Sequence, residues 1–294
     1  MNNTACRNST IARLFRTIKR YDAKKQNPDD GAIVSRLRRI VRLRLPMEFL
    51  SFTCSTTNPE YLFSKTPWLY VNTDIRGNNL EADLPKLERV YRDLGKSYAN
   101  IKFIVLVGNT DPYYIYSRQF DLYQGQNKSL LWEKFNDRWT CYRRNFEKWL
   151  RTNFSFGNVA VVSWYEFERA RERRDKIRFE DMFQSVRRRS GFYFSRLDLQ
   201  RELESIKAQF GPGKYFQQLA MPSESLLKDW VERKFSEYAV QGLWLREDFP
   251  DAILIQNEQP SDLRYRMYQP LIRERHGDVL PNVYFFGVDN RGFG

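Results

Sequence analysis

The stretch that decides the fold is IKFIVLVGNTD, residues 101–111. Ile104 to Val107 form an unbroken apolar run, so a strand here must be covered on both faces, as parallel strands are. Small and polar residues follow at its carboxyl end: Gly108, Asn109, Thr110 and Asp111. Working outward, MEFLSFTCS (47–55), PWLYVNTDI (67–75), VAVVSWYEF (159–167), AILIQ (252–256) and VYFFGV (283–288) read as further strands. Helical patterns separate them. Leu84, Leu87, Val90, Tyr91 and Leu94 share one face of a helix over 83–98, and others are expected at 130–152, near 197–210 and at 224–245. Upstream, Ile11, Leu14, Phe15 and Ile18 mark a basic helix over 9–25, and NPDDG (27–31) signals a turn. Alternation of strand and helix predicts an α/β protein with a mostly parallel sheet flanked by helices.

The helix expected at 130–152 carries Trp132, Phe135, Trp139, Tyr142, Phe146 and Trp149 at steps of three and four, one face of a helix. Lys134, Arg138, Arg144, Lys148 and Arg151 fall on the other side. Such a face suits a polyanion, most simply a nucleic acid backbone. The whole chain agrees: 49 Lys and Arg against 36 acids give +13 and a pI near 9.6. The excess is concentrated at the start, where residues 1–50 hold twelve Lys and Arg against four Asp and Glu. Its densest part is Arg36, Arg38, Arg39, Arg42 and Arg44. The first 46 residues therefore read as a basic helical extension, and residues 47–294 as one large α/β domain. No apolar run is long enough to span a membrane and no signal-peptide core precedes the first helix, so a cytoplasmic protein without a membrane partner is expected.

Three cysteines, Cys6, Cys54 and Cys141, are too few and too scattered for a disulfide framework or thiolate cluster. A single histidine, His276 in RERHGD, makes a histidine metal site unbuildable and reads as a surface residue. Asp74, Asp83 and Asp111 could ligate Mg²⁺, but isolated carboxylates at strand ends more often cap helices, so no metal is expected. Neither GxGxxG nor GxxxxGK[ST] is present, which removes the usual signatures of dinucleotide and phosphate-loop binding. Active groups of parallel α/β folds gather at strand carboxyl ends. There the chain offers Cys54-Ser55-Thr56-Thr57-Asn58 and Asn72-Thr73-Asp74.

These segments together resemble the tRNA-dependent cyclodipeptide synthases. The run IVLVGNTDPYYIY (104–116), the basic helix and VAVVSWYEFERAR (159–171) resemble the family's central part. CSTTNPEYLFS (54–64) is similar to its nucleophile loop, in which a serine precedes an asparagine by three residues. EYAVQGLWLREDFPDAIL (237–254) looks like its Tyr-x-x-x-Glu segment, including the Asp-x-Pro at Asp248–Pro250. The likeness spans roughly residues 50–260. It implies a Rossmann-like, mostly parallel sheet flanked by helices, related to the core of class I aminoacyl-tRNA synthetases. It also implies a single Rossmann-like catalytic domain over 47–294.

The resemblance implies an enzyme, an aminoacyltransferase that receives amino acids already activated as aminoacyl-tRNA esters and needs no cofactor. Ser55 would be the nucleophile, or Thr73 if strand counting back from 104 sets the alignment. Asn58 would help hold the oxyanion. Tyr238 matches the motif tyrosine, but the position of the motif acid is Gly242; Gln241 or Glu237 would have to hold the substrate's ammonium group. Arg36, Arg38, Arg39, Arg138, Arg144, Lys148 and Arg151 would hold the tRNA phosphates. A monomer is expected. Two other readings stay open: a non-catalytic tRNA- or RNA-binding protein, and a small-molecule transferase with a nucleotide-linked donor. The arginines 187–189 read as a loop or a solvated helix end.

Overall fold

Neighbouring residues on the central strands serve different cores. In the computed structural model, Phe49, Phe103 and Ile253 pack on one face of a sheet, and Leu50, Ile104 and Leu254 pack on the other. This alternation is what the strand's two-residue period dictates when both faces are covered. The structure describes residues 3–22, 26–53, 80–107, 152, 158–208, 210–212, 221–255 and 267–285.

In chain order the described elements are α1 (Asn3–Tyr21), α2 (Asp30–Leu43), β1 (Met47–Thr53), α3 (Leu80–Gly95), β2 (Ile101–Val107) and β3 (Asn158–Ser163). Then follow α4 (Trp164–Asp175), α5 (Phe179–Arg188), the short α6 (Ser190–Tyr193), α7 (Arg196–Ala208), α8 (Glu224–Asp248), β4 (Ile253–Ile255), α9 (Pro270–His276) and β5 (Asn282–Val283). Among the described residues all strand pairs are parallel, in the order β3-β2-β1-β4-β5. The protein is therefore α/β, with a parallel sheet between helices, as the apolar run at 104–107 predicts. Helix α3, which precedes β2, packs on one face, and α9, which precedes β5, packs on the other. The winding thus reverses between β1 and β4, the kind of switch point at which open parallel sheets hold their ligands.

One layer is built by α1, α2 and α3, through Leu14, Ile18, Ile33, Leu37, Ile40, Val90 and Leu94. The other is built by α4, α5, α7, α8 and α9, with Trp164, Phe179, Phe183 and Trp244 fully buried. Ring contacts add direction to this packing: Phe49 stacks on Phe103 at 5.4 Å, and Phe179 meets Trp244 edge-on at 5.1 Å.

The outer edge of β5 is closed by the turn at 27–31. Asp29 Oδ2 accepts from the Asn282 amide at 2.9 Å, and Asp22 Oδ1 accepts from the Tyr284 amide at 3.2 Å. Asn27 Nδ2 donates to Asp22 and to the Asn282 carbonyl. An edge that would otherwise offer unpaired amides is thereby blunted.

Several sequence expectations need correction. The strand expected over 159–167 ends at Ser163, and Trp164 already opens α4. Helix α5, with Phe179, Phe183 and Val186 on its buried side, was not anticipated; Arg187 and Arg188 form its last turn. The strand expected at 67–75 and the striped helix at 130–152 lie outside the described residues, apart from Thr152.

Candidate active site

The longest helix carries the candidate substrate-binding groups to the carboxyl edge. Helix α8 is capped by Ser223, whose hydroxyl accepts from the Leu226 amide at 3.3 Å, and it enters β4 through Phe249–Ala252. At about 1.5 Å rise per residue, Gln241 and Glu237 stand roughly 10 and 16 Å back from Asp248. The chain from Asp251 to Ile255 covers about 13 Å in the opposite direction. Helix residues 237–241 are therefore level with the end of β4. Nearby, the ends of β1, β2 and β3 are in register, with Thr53 opposite Val107 and Val107 opposite Ser163.

Glu237 is 8% exposed and Gln241 3% exposed. Gln241 Nε2 donates to Glu237 Oε1 at 3.2 Å, which fixes the carboxylate by a one-turn contact along the helix. Tyr238 is half-buried, and its ring meets that of Tyr268 edge-on at 5.2 Å. Its hydroxyl makes no hydrogen bond among the described residues. The structure thus brings three of the predicted site residues together on one helix.

At Gly242, where the sequence resemblance would put an acid, a side chain has no room. A Cβ at that position would lie 2.9 Å from Tyr268 Cα and closer still to the Tyr268 carbonyl oxygen. The segment carrying Tyr268 occupies the space that a side chain at 242 would need. The buried carboxylate on this part of α8 is that of Glu237, more than one turn before Gly242.

Sequence reading missed a second buried carboxylate, Glu168, 4% exposed, whose Oε2 accepts from Trp164 Nε1 at 3.0 Å. It lies one turn from Arg171, which donates to the Trp244 carbonyl at 2.8 Å and pairs with Glu247 and Asp248. Arg171 also sits over the Trp244 ring at 4.9 Å. Trp164, Glu168 and Arg171 share one face of α4, and Arg171 aligns that face with the stripe of α8 holding Glu237, Gln241, Trp244 and Asp248. The helical spacing of charges in YEFERARER was the available signal, masked by the β-forming Trp, Tyr and Phe.

The N-terminal arginines divide into two kinds. Arg36 is largely covered and pairs with Asp278 at 2.9 Å; burial, together with Arg246, pulls its guanidinium below the ordinary range against the pull of Asp278. Arg39 pairs with Asp251 at 2.9 Å. Arg38 is exposed. Arg187 pairs with Asp229, Arg189 with Glu274, and His276 lies at the surface 3.3 Å from Glu247. Ser55, Asn58, Thr73, Arg138, Arg144, Lys148 and Arg151 lie outside the described residues. Among the described residues, no three His, Cys, Asp or Glu side chains group as metal ligands, and no helix is long and apolar enough to cross a membrane.

A doubly wound parallel sheet covered by helices on both faces defines a Rossmann-like α/β protein. No protein-family model matches the chain, and no curated protein matches it. Among solved structures, it is similar to the PvcA protein from Pseudomonas aeruginosa, with a TM-score of 0.53 and 15% identity over 94% of this chain and 84% of that one. It is also similar to a cyclodipeptide synthase from Fluoribacter dumoffii, with a TM-score of 0.47 and 10% identity over 83% and 91% of the two chains. A third is the cyclodipeptide synthase from Candidatus Glomeribacter gigasporarum bound to Phe-tRNAPhe, with a TM-score of 0.40 and 12% identity over 85% and 91%. The likeness to PvcA extends over nearly the whole chain and is a likeness of fold.

Proposed function

We propose that the chain is an aminoacyltransferase that joins two aminoacyl groups from aminoacyl-tRNA into a cyclodipeptide. The observation that carries this reading is Glu237, a buried carboxylate held by Gln241 at the carboxyl edge, beside a tyrosine hydroxyl with no hydrogen bond among the described residues. An α-ammonium group needs such an anchor, and a carboxylate out of water holds it more strongly than one in solvent.

In this reading Ser55, two residues past the end of β1, attacks the ester carbonyl. The acyl–oxygen bond to the tRNA ribose breaks, and the serine proton passes to the leaving ribose oxygen. Asn58 and loop amides stabilise the oxyanion. The amine of the seryl-bound unit then attacks the ester carbonyl of a second aminoacyl-tRNA; the amide forms, the acyl–oxygen bond to that ribose breaks, and the amine proton leaves on the ribose oxygen of the second tRNA. The remaining amine closes the ring on the seryl ester and returns a proton to the serine oxygen. Glu237 and Tyr238 orient the amino groups throughout. Cations at Arg38, Arg138, Arg144, Lys148 and Arg151 hold tRNA phosphates without reading sequence.

Charged, radiolabelled tRNA tests the reading. Wild-type protein is expected to strip the aminoacyl group from tRNA and carry it covalently, and Ser55→Ala to abolish the covalent species. A persisting adduct in that variant moves the nucleophile to Thr73. Glu237→Gln is expected to slow single-turnover acyl transfer by roughly ten- to a hundredfold, the worth of a hydrogen bond to charge, with tRNA affinity within about twofold. Tyr238→Phe should act in the same direction, more weakly. Retention of charged tRNA without any release of the aminoacyl group defeats the enzymatic reading and leaves a non-catalytic RNA-binding protein.

A further inference from the structure

Helix α1 carries Arg7, Arg13, Arg16, Lys19 and Arg20 and not one acid. Helix α2 carries four arginines against Asp30. Part of this charge is neutralised within the fold: Lys19 pairs with Asp22 and Asp30, Arg20 with Asp93, Arg36 with Asp278 and Arg39 with Asp251. Arg13, Arg16, Arg38 and Arg42 are different. All four are exposed, and none has a carboxylate partner among the described residues; Arg16 donates only to the Ala12 carbonyl of its own helix. Arg13 and Arg16 lie opposite Leu14 and Ile18 on α1, and Arg38 and Arg42 lie opposite Ile33, Leu37 and Ile40 on α2. Both helices bury their apolar sides against the sheet, so the arginines form the outer surface of that layer.

This surface is on the far side of the sheet from Glu237 and Tyr238. One helix-to-sheet spacing on each face plus a helix radius puts it about 25 Å from α8. A nucleotide-linked small donor held at Tyr238 cannot span that distance. An RNA acylated at one end and folded into a long body can. Guanidinium groups are weakly hydrated and bind phosphate in a fork, and the cations left unpaired among the described residues of α1 and α2 are all arginine. A lipid surface would also want apolar side chains to insert, and these two helices expose one large apolar residue, Leu43.

We infer that the outer face of α1 and α2, through Arg13, Arg16, Arg38 and Arg42, binds the phosphate backbone of the tRNA body away from its acylated end. The identity of the RNA rests on the aminoacyl-tRNA reading; the surface itself does not.

The test compares the R13E/R16E/R38E/R42E chain with wild type, using full-length tRNA and a hairpin that reproduces the acceptor stem alone. The variant is expected to bind full-length tRNA at least about tenfold more weakly near 0.1 M salt, with a log–log salt slope shallower by about 0.7 to 0.9 per lost phosphate contact. Hairpin affinity is expected to stay within twofold. A neutral R13Q/R16Q/R38Q/R42Q chain should show a smaller loss of the same kind, and keeps the test decisive if charge reversal impairs folding. Unchanged affinity and slope for full-length tRNA overturn the inference. Parallel loss on the hairpin overturns it too, because these arginines would then serve the acceptor arm. So does unchanged tRNA binding combined with lost binding to phosphatidylserine vesicles. If wild-type protein never releases an aminoacyl group yet the variant loses tRNA affinity selectively, the catalytic reading fails and the RNA surface stands.

Discussion

Gly242 is expensive for a helix, since glycine in a helix interior costs about 1 kcal/mol relative to alanine. The Tyr268 backbone explains the choice: a Cβ would press into its Cα and carbonyl oxygen. Gly242→Ala should therefore destabilise the protein by about 1–3 kcal/mol, as overpacking does, despite the gain in helix propensity. The denaturation midpoint measures this; a raised midpoint would show that the Tyr268 segment moves aside without cost. At this scale the sequence was half legible. It showed that position 242 is a glycine where the resemblance would put an acid, and that Glu237 precedes it by five residues. It could not show the reason, because Tyr268 is far along the chain and nothing local betrays the contact. Glu168 was hidden differently, beneath a strand-like run of Trp, Tyr and Phe.

Elements were read best where the physics is local. The apolar runs at 47–53, 101–107 and 253–255 became β1, β2 and β4 because strands covered on both faces have little room for polar residues. The run at 159–167 overshot because residues with strand propensity continue into α4, where tertiary context decides. Helix α5 was legible at Phe179, Phe183 and Val186, spaced by four and three, and went unread in a segment dominated by charge. For α8, Ser223 is a working N-cap, so Ser223→Ala should cost about 1 kcal/mol of stability, while Ser223→Asp should retain most of it. Equal melting temperatures for wild type and the Ser223→Ala variant would show that packing alone sets the start of this helix.

At the scale of the whole molecule, charge is also structural. Asp278 joins α2 to α8, accepting from Arg36 at 2.9 Å and from Arg246 at 2.7 Å. Burial alone would raise its pKa, but Arg246 and Arg36 outweigh burial and hold it below the ordinary carboxylate value. A group depressed in the folded state contributes stability above its unfolded pKa, near 4, and loses it as pH falls through the folded value. Stability measured from about pH 5 down to pH 2 should therefore fall more steeply in wild type than in Asp278→Asn, which is less stable at neutral pH; parallel acid limbs would remove Asp278 from the account. The strand order has a consequence for biosynthesis. On one side β1 pairs with β4, whose first paired residue, Ile253, comes about two hundred residues after Ser51. At about 5–20 residues per second, roughly 10–40 s pass between translation of these two strands. Throughout that interval the β4-facing edge of β1 has no native partner in the nascent chain. The carboxylates Asp22 and Asp29 wait longer still, until Asn282 and Tyr284 are made. A ribosome-bound intermediate would thus present an open strand edge beneath two arginine-rich helices, a combination that calls for chaperone cover until the last strand is delivered.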